Sequence, residues 1–182
     1  MKATDEAEFR DFMATRWPAL VRTAYLLSGD RHLAEDLAQV ALEKTAMAWS
    51  RVRDAHDVDA YVRRILVNTH LSRFRRKRVQ EVLAPSMPDP AAPDPAAPDP
   101  AQRLADRELV LAALATLPRR QRAVIVLRYW EDRSESQTAE ILGCAIGTVR
   151  SQAHKALAKL RVSPLLADDD PLLLDAPKEG RA

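Results

Sequence analysis

The chain has 182 residues, 30% of them charged and 47% apolar, with a formal net charge of +2. That is the composition of a soluble globular protein with room for one ordinary domain or two small ones. The lone cysteine, Cys144, excludes an intramolecular disulfide and a thiolate metal cluster, and no phosphate loop, HExxH, Cys/His metal set or nucleophile with a base is present. The start MKATDEAEFRDF lacks the apolar core of a signal peptide and no run approaches the roughly 20 apolar residues of a membrane span, so the expectation is a cytoplasmic protein with no membrane insertion, metal, cofactor, small-molecule substrate or catalytic activity.

In chain order, Glu8 to Leu27 carries Phe9, Phe12, Met13, Leu20, Val21, Ala24 and Leu27 at helical spacing, with Pro18 expected to kink or split the helix. Ser28-Gly29 closes it and Asp30 is placed as N-cap of a second helix reaching Trp49, whose stripe includes Leu33, Leu37, Val40 and Ala41. Glu35, Asp36, Gln39 and Glu43 fall off that stripe and by composition form a solvated acidic face. Ser50 to Val58, with Arg51, Arg53, Asp54, His56 and Asp57, has no helical period and is expected to be a loop. Asp59 to Arg78 reads as a third helix with Tyr61, Val62, Ile65, Leu66 and Thr69 inward and a basic end, Arg73, Phe74, Arg75, Arg76, Lys77, Arg78. Cations with an aromatic among them suit a single-stranded nucleic acid, and a solvated helix end favoured by the macrodipole is the other reading. Charge is segregated: residues 59–83 hold seven basic and two acidic side chains, whereas the segment after Arg161 holds five acidic and two basic, which points to a polyanion partner for particular faces.

From Pro88 to Gln102 three near-identical pentads, PDPAA, PDPAA and PDPAQ, exclude helix and inner strand and define a linker. In polyproline II at about 3.1 Å per residue it reaches roughly 46 Å, so the flanking modules are expected to hold no fixed separation. A helix at Arg103 to Thr116 follows, and Pro118 opens another, PRRQRAVIVLRYW, where Arg119, Arg120 and Arg122 are either phosphate contacts or a solvated basic turn. Ser134 with Gln137 forms a capping box for a short helix that Gly143 ends through the left-handed conformation, and a second helix carries Val149, Ala153, Ala156, Leu157 and Leu160 on one face. This is helix-turn-helix spacing. The opposite faces offer Thr148, Arg150, Ser151, Gln152, His154, Lys155 and Lys159, donors suited to phosphates and base edges in a major groove. Cys144 in the turn is either a small buried side chain or a redox-active thiol. The tail SPLLADDDPLLLDAPKEGRA alternates Leu clusters with Asp runs and is expected to be disordered or loosely docked, an autoregulatory arm being the other reading.

AEILGCAIGTVRSQAHKAL and LPRRQRAVIVLRYW resemble region 4, the promoter-reading module of extracytoplasmic-function (ECF) sigma factors of the sigma-70 superfamily. AEDLAQVALEKTAMAW and YVRRILVNTHLSRFRRKR resemble regions 2.2 to 2.4 of the same family. The resemblance implies an all-α protein of two small helical domains. Region 2, a bundle of three to four helices, falls at residues 1–82; a Pro/Asp/Ala linker at 83–102; region 4, four helices with the helix-turn-helix, at 103–162; and the tail at 163–182. It further implies binding of core RNA polymerase through the β′ clamp helices and β flap, with Asp36, Gln39 and Glu43 as the clamp-facing candidates. For −10 promoter DNA it implies Arg51, Arg53, Tyr61, Asn68, Arg73, Arg75 and Arg76, with the 50–58 loop holding an extruded base. For the −35 duplex it implies Arg119, Arg120, Thr148, Arg150, Ser151, His154 and Lys155. An anti-sigma partner is left open. The chain departs from the family pattern at Ala145, where a serine N-cap is usual, at Thr138 and Ala153, where larger aliphatics are usual, and at Ser72 in place of Asp. The runner-up is a dimeric helix-turn-helix regulator, which leaves the basic helix and the acidic face without purpose.

Overall fold

The computed structural model describes residues 3–54, 57–80 and 100–163, with side chains described within 5–54, 57–73 and 106–163. Among these residues there are seven α-helices and no strand. Helix α1 (Ala3–Ser28) pairs with α2 (Arg31–Val52), and α3 (Val58–Gln80) closes the bundle. The expected split at Pro18 does not occur, since α1 runs on as one helix of 26 residues. Ala14, whose carbonyl loses its i+4 partner to the proline, is exposed along with Pro18 itself, so the missing bond falls on the solvent side of the helix.

Asp30 caps α2 as expected, accepting from the Leu33 amide at 2.8 Å. Beyond Trp49 the helix continues to Val52, which shortens the expected 50–58 loop to the residues between Val52 and Val58. The cause is Arg53, just past the helix end. Its guanidinium binds Asp5 and, at 3.2 Å, Glu8 of α1, which also holds the first turn of α1 in place five residues ahead of the expected start. Phe9 and Phe12 pack on Trp49 at ring-centroid distances of 5.1 and 5.2 Å and complete this end of the bundle.

Helix α4 (Pro100–Ala115) starts inside the third pentad, three residues before the expected boundary at 103. Pro is tolerated in a first helical turn because its missing N–H has no partner there. The rest of the expected linker lies outside the described residues, as do residues 164–182 of the tail. Helix α5 (Arg119–Ile125) passes into a π-helical turn over Val126–Trp130 that the periodicity did not indicate. Helices α6 (Glu135–Leu142) and α7 (Ile146–Arg161) form the helix-turn-helix.

The expectation of modules without fixed separation is not what the structure has. Leu20, Leu27, Leu37 and Leu66 from α1 to α3 and Leu114, Leu117, Ile125, Leu127 and Ile141 from the second half belong to one continuous apolar core. The faces that join are partly apolar and partly ionic, and burying them removes surface that each small module alone would leave wet.

Candidate nucleic-acid and polymerase interfaces

The helix-turn-helix is built by local chemistry. The Ser134 hydroxyl accepts from the Gln137 amide at 3.2 Å and the Gln137 side-chain oxygen accepts from the Ser134 amide at 2.9 Å, so both halves of the capping box are present. Gly143 sits at φ 62°, ψ 44° and the Cys144 amide reaches back to the Ala139 carbonyl at 3.0 Å, which closes α6 and turns the chain into α7. Ala145, at φ −72°, ψ 150°, takes the N-cap position of α7 with no side-chain hydrogen bond, so the first amides of the recognition helix lack the usual cap. Beneath it lies a small cluster of Val124, Ala139 and Val149, packed against Leu142, Cys144 and Ala153. A cavity of about 20 Å³ remains beside it, and the buried Thr138 hydroxyl has no hydrogen-bond partner. The unpartnered hydroxyl follows from a threonine standing where an aliphatic side chain would fill the core.

Thr148, Arg150, Ser151, His154 and Lys155 are all exposed on α7 while Val149 and Ala156 are buried, so the structure places the five on the solvent side of one helix. Arg150 lies at the margin of that surface, where its Nε donates to Glu135 of α6 at 2.6 Å. Arg119 and Arg120 are exposed at the start of α5. Arg120 and Thr148 border the same small cavity as Leu71 of α3, so the first module stands against the leading end of the recognition helix.

On the first module Asp36, Gln39 and Glu43 form one exposed row on α2, with the Gln39 amide donating to Glu43 at 2.9 Å. Tyr61 is half-buried and Asn68 exposed, seven residues apart on the same face of α3, and the exposed Arg64 falls between them. Arg64 was missed in sequence because it neighbours Arg63 in an apolar run, and only packing separates the two. Arg51 is exposed near the end of α2. Arg73 is exposed and meets Asp36 at 3.8 Å, bringing the acidic row next to the basic end of α3. Arg53 is engaged with α1, as described above. Helix α3 runs through Arg75 and Arg76, whose side chains lie outside the described residues.

What sequence reasoning did not find is the bridge between the modules. Arg63, 7% exposed, donates from Nε to Glu131 at 2.7 Å and also meets Asp59 at 3.3 Å. Glu131, 9% exposed, follows the π-helical turn and also accepts from the Thr23 hydroxyl of α1. Asp59 is shared with Arg16 of α1 at 3.1 Å. Arg133 reaches Asp57 at 3.5 Å, and Arg122 donates to the Leu27 carbonyl at 3.0 Å. His70 of α3 is buried at this junction. Burial first, then the charges of Arg122 and Arg119, push its imidazole down to about 4, and burial beside Arg119 also lowers Arg122.

Residues 13–79 match the Sigma-70 region 2 family and residues 107–160 match Sigma-70, region 4. The RNA polymerase sigma-E factor of Streptomyces coelicolor is 37% identical over 174 residues, 96% of each chain. The ECF RNA polymerase sigma factor ShbA of Streptomyces griseus is 33% identical over 141 residues, 74% of each chain. The chain belongs to the ECF sigma factors of the sigma-70 family. Among solved structures, this sigma factor resembles RpoE of Bartonella quintana, solved in complex with the anti-sigma factor NepR. The two are 28% identical with a TM-score of 0.71, over 90% of this chain and 99% of that one. As a sigma factor the protein binds core RNA polymerase and directs promoter-specific transcription initiation. A stand-alone dimeric regulator would leave the match at 13–79 without a role, so that reading is set aside. No helix among the described residues is long and apolar enough to cross a membrane.

Proposed function

We propose that this sigma factor works in two arrangements, packed when free and spread when on polymerase, with residues 1–82 as region 2, 83–102 as linker, 103–162 as region 4 and 163–182 as tail. The observation that carries the proposal is the approach of α3 to the leading end of the recognition helix, where Leu71, Arg120 and Thr148 line one small cavity. A helix-turn-helix inserts that end of its second helix into the major groove. Duplex DNA and α3 therefore compete for the same side of region 4. Distance gives a second reason: elements centred at −10 and −35 lie about 25 base pairs apart, roughly 85 Å of B-DNA at about 3.4 Å per pair. A compact chain of this length has a radius of gyration of about 16 Å and cannot read both at once. The 19 residues between Gln80 and Pro100, at about 3.1 Å each when extended, reach roughly 59 Å and let the modules separate.

In the spread state Asp36, Gln39 and Glu43 dock on the polymerase clamp. Arg51, Arg53, Tyr61, Asn68, Arg73, Arg75 and Arg76 serve the −10 strand, Arg53 only after leaving Asp5 and Glu8. Thr148, Arg150, Ser151, His154 and Lys155 face the −35 duplex, with Arg119 and Arg120 on phosphates. The protein acts in the cytoplasm without chemistry of its own, catalysis belonging to the polymerase. An anti-sigma factor is a candidate partner because the Bartonella relative was solved with one.

Promoter binding with and without core polymerase tests the proposal. The isolated protein should bind a promoter duplex weakly and in a salt-sensitive way, and specifically and tightly once core enzyme is added. Charge reversal at Asp36 or Glu43 should remove only the second state. Within holoenzyme, Arg150→Ala should cost about 1–3 kcal/mol with altered −35 preference if it reads a base. Tight operator binding by a free dimer indifferent to polymerase would overturn the proposal.

A further inference from the structure

A groove of about 840 Å³ runs between the two modules, walled by Trp17 and Val21 of α1, Val110 of α4 and Trp130 of the π-helical turn. Trp17 is 37% and Trp130 53% exposed. Two tryptophans facing one groove in this way mark a surface built to be covered rather than scattered surface apolarity. Three arginines also line it, Arg22, Arg31 and Arg107, against the carboxylates of Glu35 and Asp106. Glu35 is held by Arg31 at 3.3 Å, and Arg107 lies over the Tyr25 ring at 4.8 Å. The groove's lining is thus largely apolar, with a small excess of positive charge.

We infer that the occupant is this chain's own C-terminal segment, with Leu172, Leu173 and Leu174 on the tryptophans and the flanking Asp170 and Asp175 toward the arginines. The chemistry matches in order: an acidic triplet, Asp168 to Asp170, then three leucines, then an acid. The other long stretch outside the described residues, the linker before α4, carries Val82, Leu83 and Met87 but nowhere three adjacent large apolar side chains flanked by acids. The path is short. Lys159 near the end of α7 donates to the Thr116 carbonyl, and Ser163 is buried just beyond, so the tail departs beside the C-terminal end of α4. Val110 lies six residues back along α4, about 9 Å at roughly 1.5 Å per residue. The eight residues from Pro164 to Pro171 span up to about 26 Å when extended, which brings Leu172 over the groove without strain. Because the groove has walls from both modules, a seated tail favours the packed arrangement over the spread one. The placement of the tail itself is independent of how the protein engages a promoter.

The test uses the full chain, isotope-labelled, with Cys144→Ser and a nitroxide on Ala176→Cys. The indole N–H resonances of Trp17 and Trp130 are expected to lose more than half their intensity when the label is oxidised relative to reduced. Adding Leu172→Ser, Leu173→Ser and Leu174→Ser to the same chain should restore them. Those leucines lie outside the described core, and an unchanged buried Trp49 resonance confirms that the fold is retained. Absence of the intensity loss, or the same loss in the triple-serine chain, overturns the inference. So does a loss that arises equally when the label and the isotope are on separate molecules, which would assign the groove to the tail of a second copy. None of these readouts depends on polymerase or promoter, so a failure here is distinct from a failure of the two-arrangement proposal.

Discussion

Removing either partner of the Arg63–Glu131 bridge should uncouple the modules, and the structure sets the size of the effect. The two side chains are 7% and 9% exposed and meet at 2.7 Å, so solvent screens them little. Deleting one member of a buried pair typically costs about 3–5 kcal/mol because the other is left uncompensated. After Glu131→Leu, however, Arg63 keeps Asp59 at 3.3 Å, which reduces the expected loss to about 2–3 kcal/mol. Arg63→Met leaves Glu131 with only the Thr23 hydroxyl and should cost about 3–4 kcal/mol. The double variant removes both orphans at once, so its loss should fall well below the sum, with a coupling of about 2–3 kcal/mol. Urea unfolding of the full chain followed by tryptophan fluorescence and by circular dichroism measures all four corners of the cycle. The parent should unfold in one transition, as its continuous core requires, and the single variants should show two as region 4 detaches. Single losses below about 1 kcal/mol that simply add would refute the reasoning, because they would make the bridge a screened surface pair.

Further outcomes follow from the same structure. His70 is neutral in the fold down to about pH 4 but takes a proton near the ordinary histidine value of 6.5 when unfolded. Between those values the unfolded state binds more protons, so stability should be full above pH 6.5 and fall as pH drops toward 4, by about 2 kcal/mol at pH 5. His70→Leu should flatten that part of the urea-midpoint profile. Ala145→Ser supplies the missing cap of α7 and should raise stability by about 1 kcal/mol, read as a higher urea midpoint at unchanged slope. Thr138→Val replaces a buried hydroxyl that has no partner with a methyl of the same shape. It should add about 1 kcal/mol, and a loss in the same denaturation assay would show that the hydroxyl is satisfied by a buried water.

The local devices were legible in the residues themselves. Asp30, the Ser134/Gln137 box and left-handed Gly143 act through neighbours three or four positions away, so spacing alone specifies them. The absence of a cap at Ala145 was legible for the same reason. The family resemblance likewise rests on contiguous strings, and the exposed rows on α2 and α7 follow from helical period. Side-chain burial across the modules was not legible. Arg63 and Arg64 are chemically identical neighbours, and one is buried against Glu131 while the other faces water only because α6 packs on α3 and Glu131, just past the π-helical turn, reaches Arg63. The hold of Asp5 and Glu8 on Arg53 was equally hidden, because nothing in its own segment reveals partners more than forty positions away. The uninterrupted α1, the shortened loop before α3, the π-helical turn and the joined core all depend on contacts between distant segments, whose free energy outweighs the local preferences of Pro18 and of the residues after Trp49. The packed arrangement is therefore a product of tertiary structure: the apolar and ionic complementarity of the modules' faces, which no local segment reveals, brings them together.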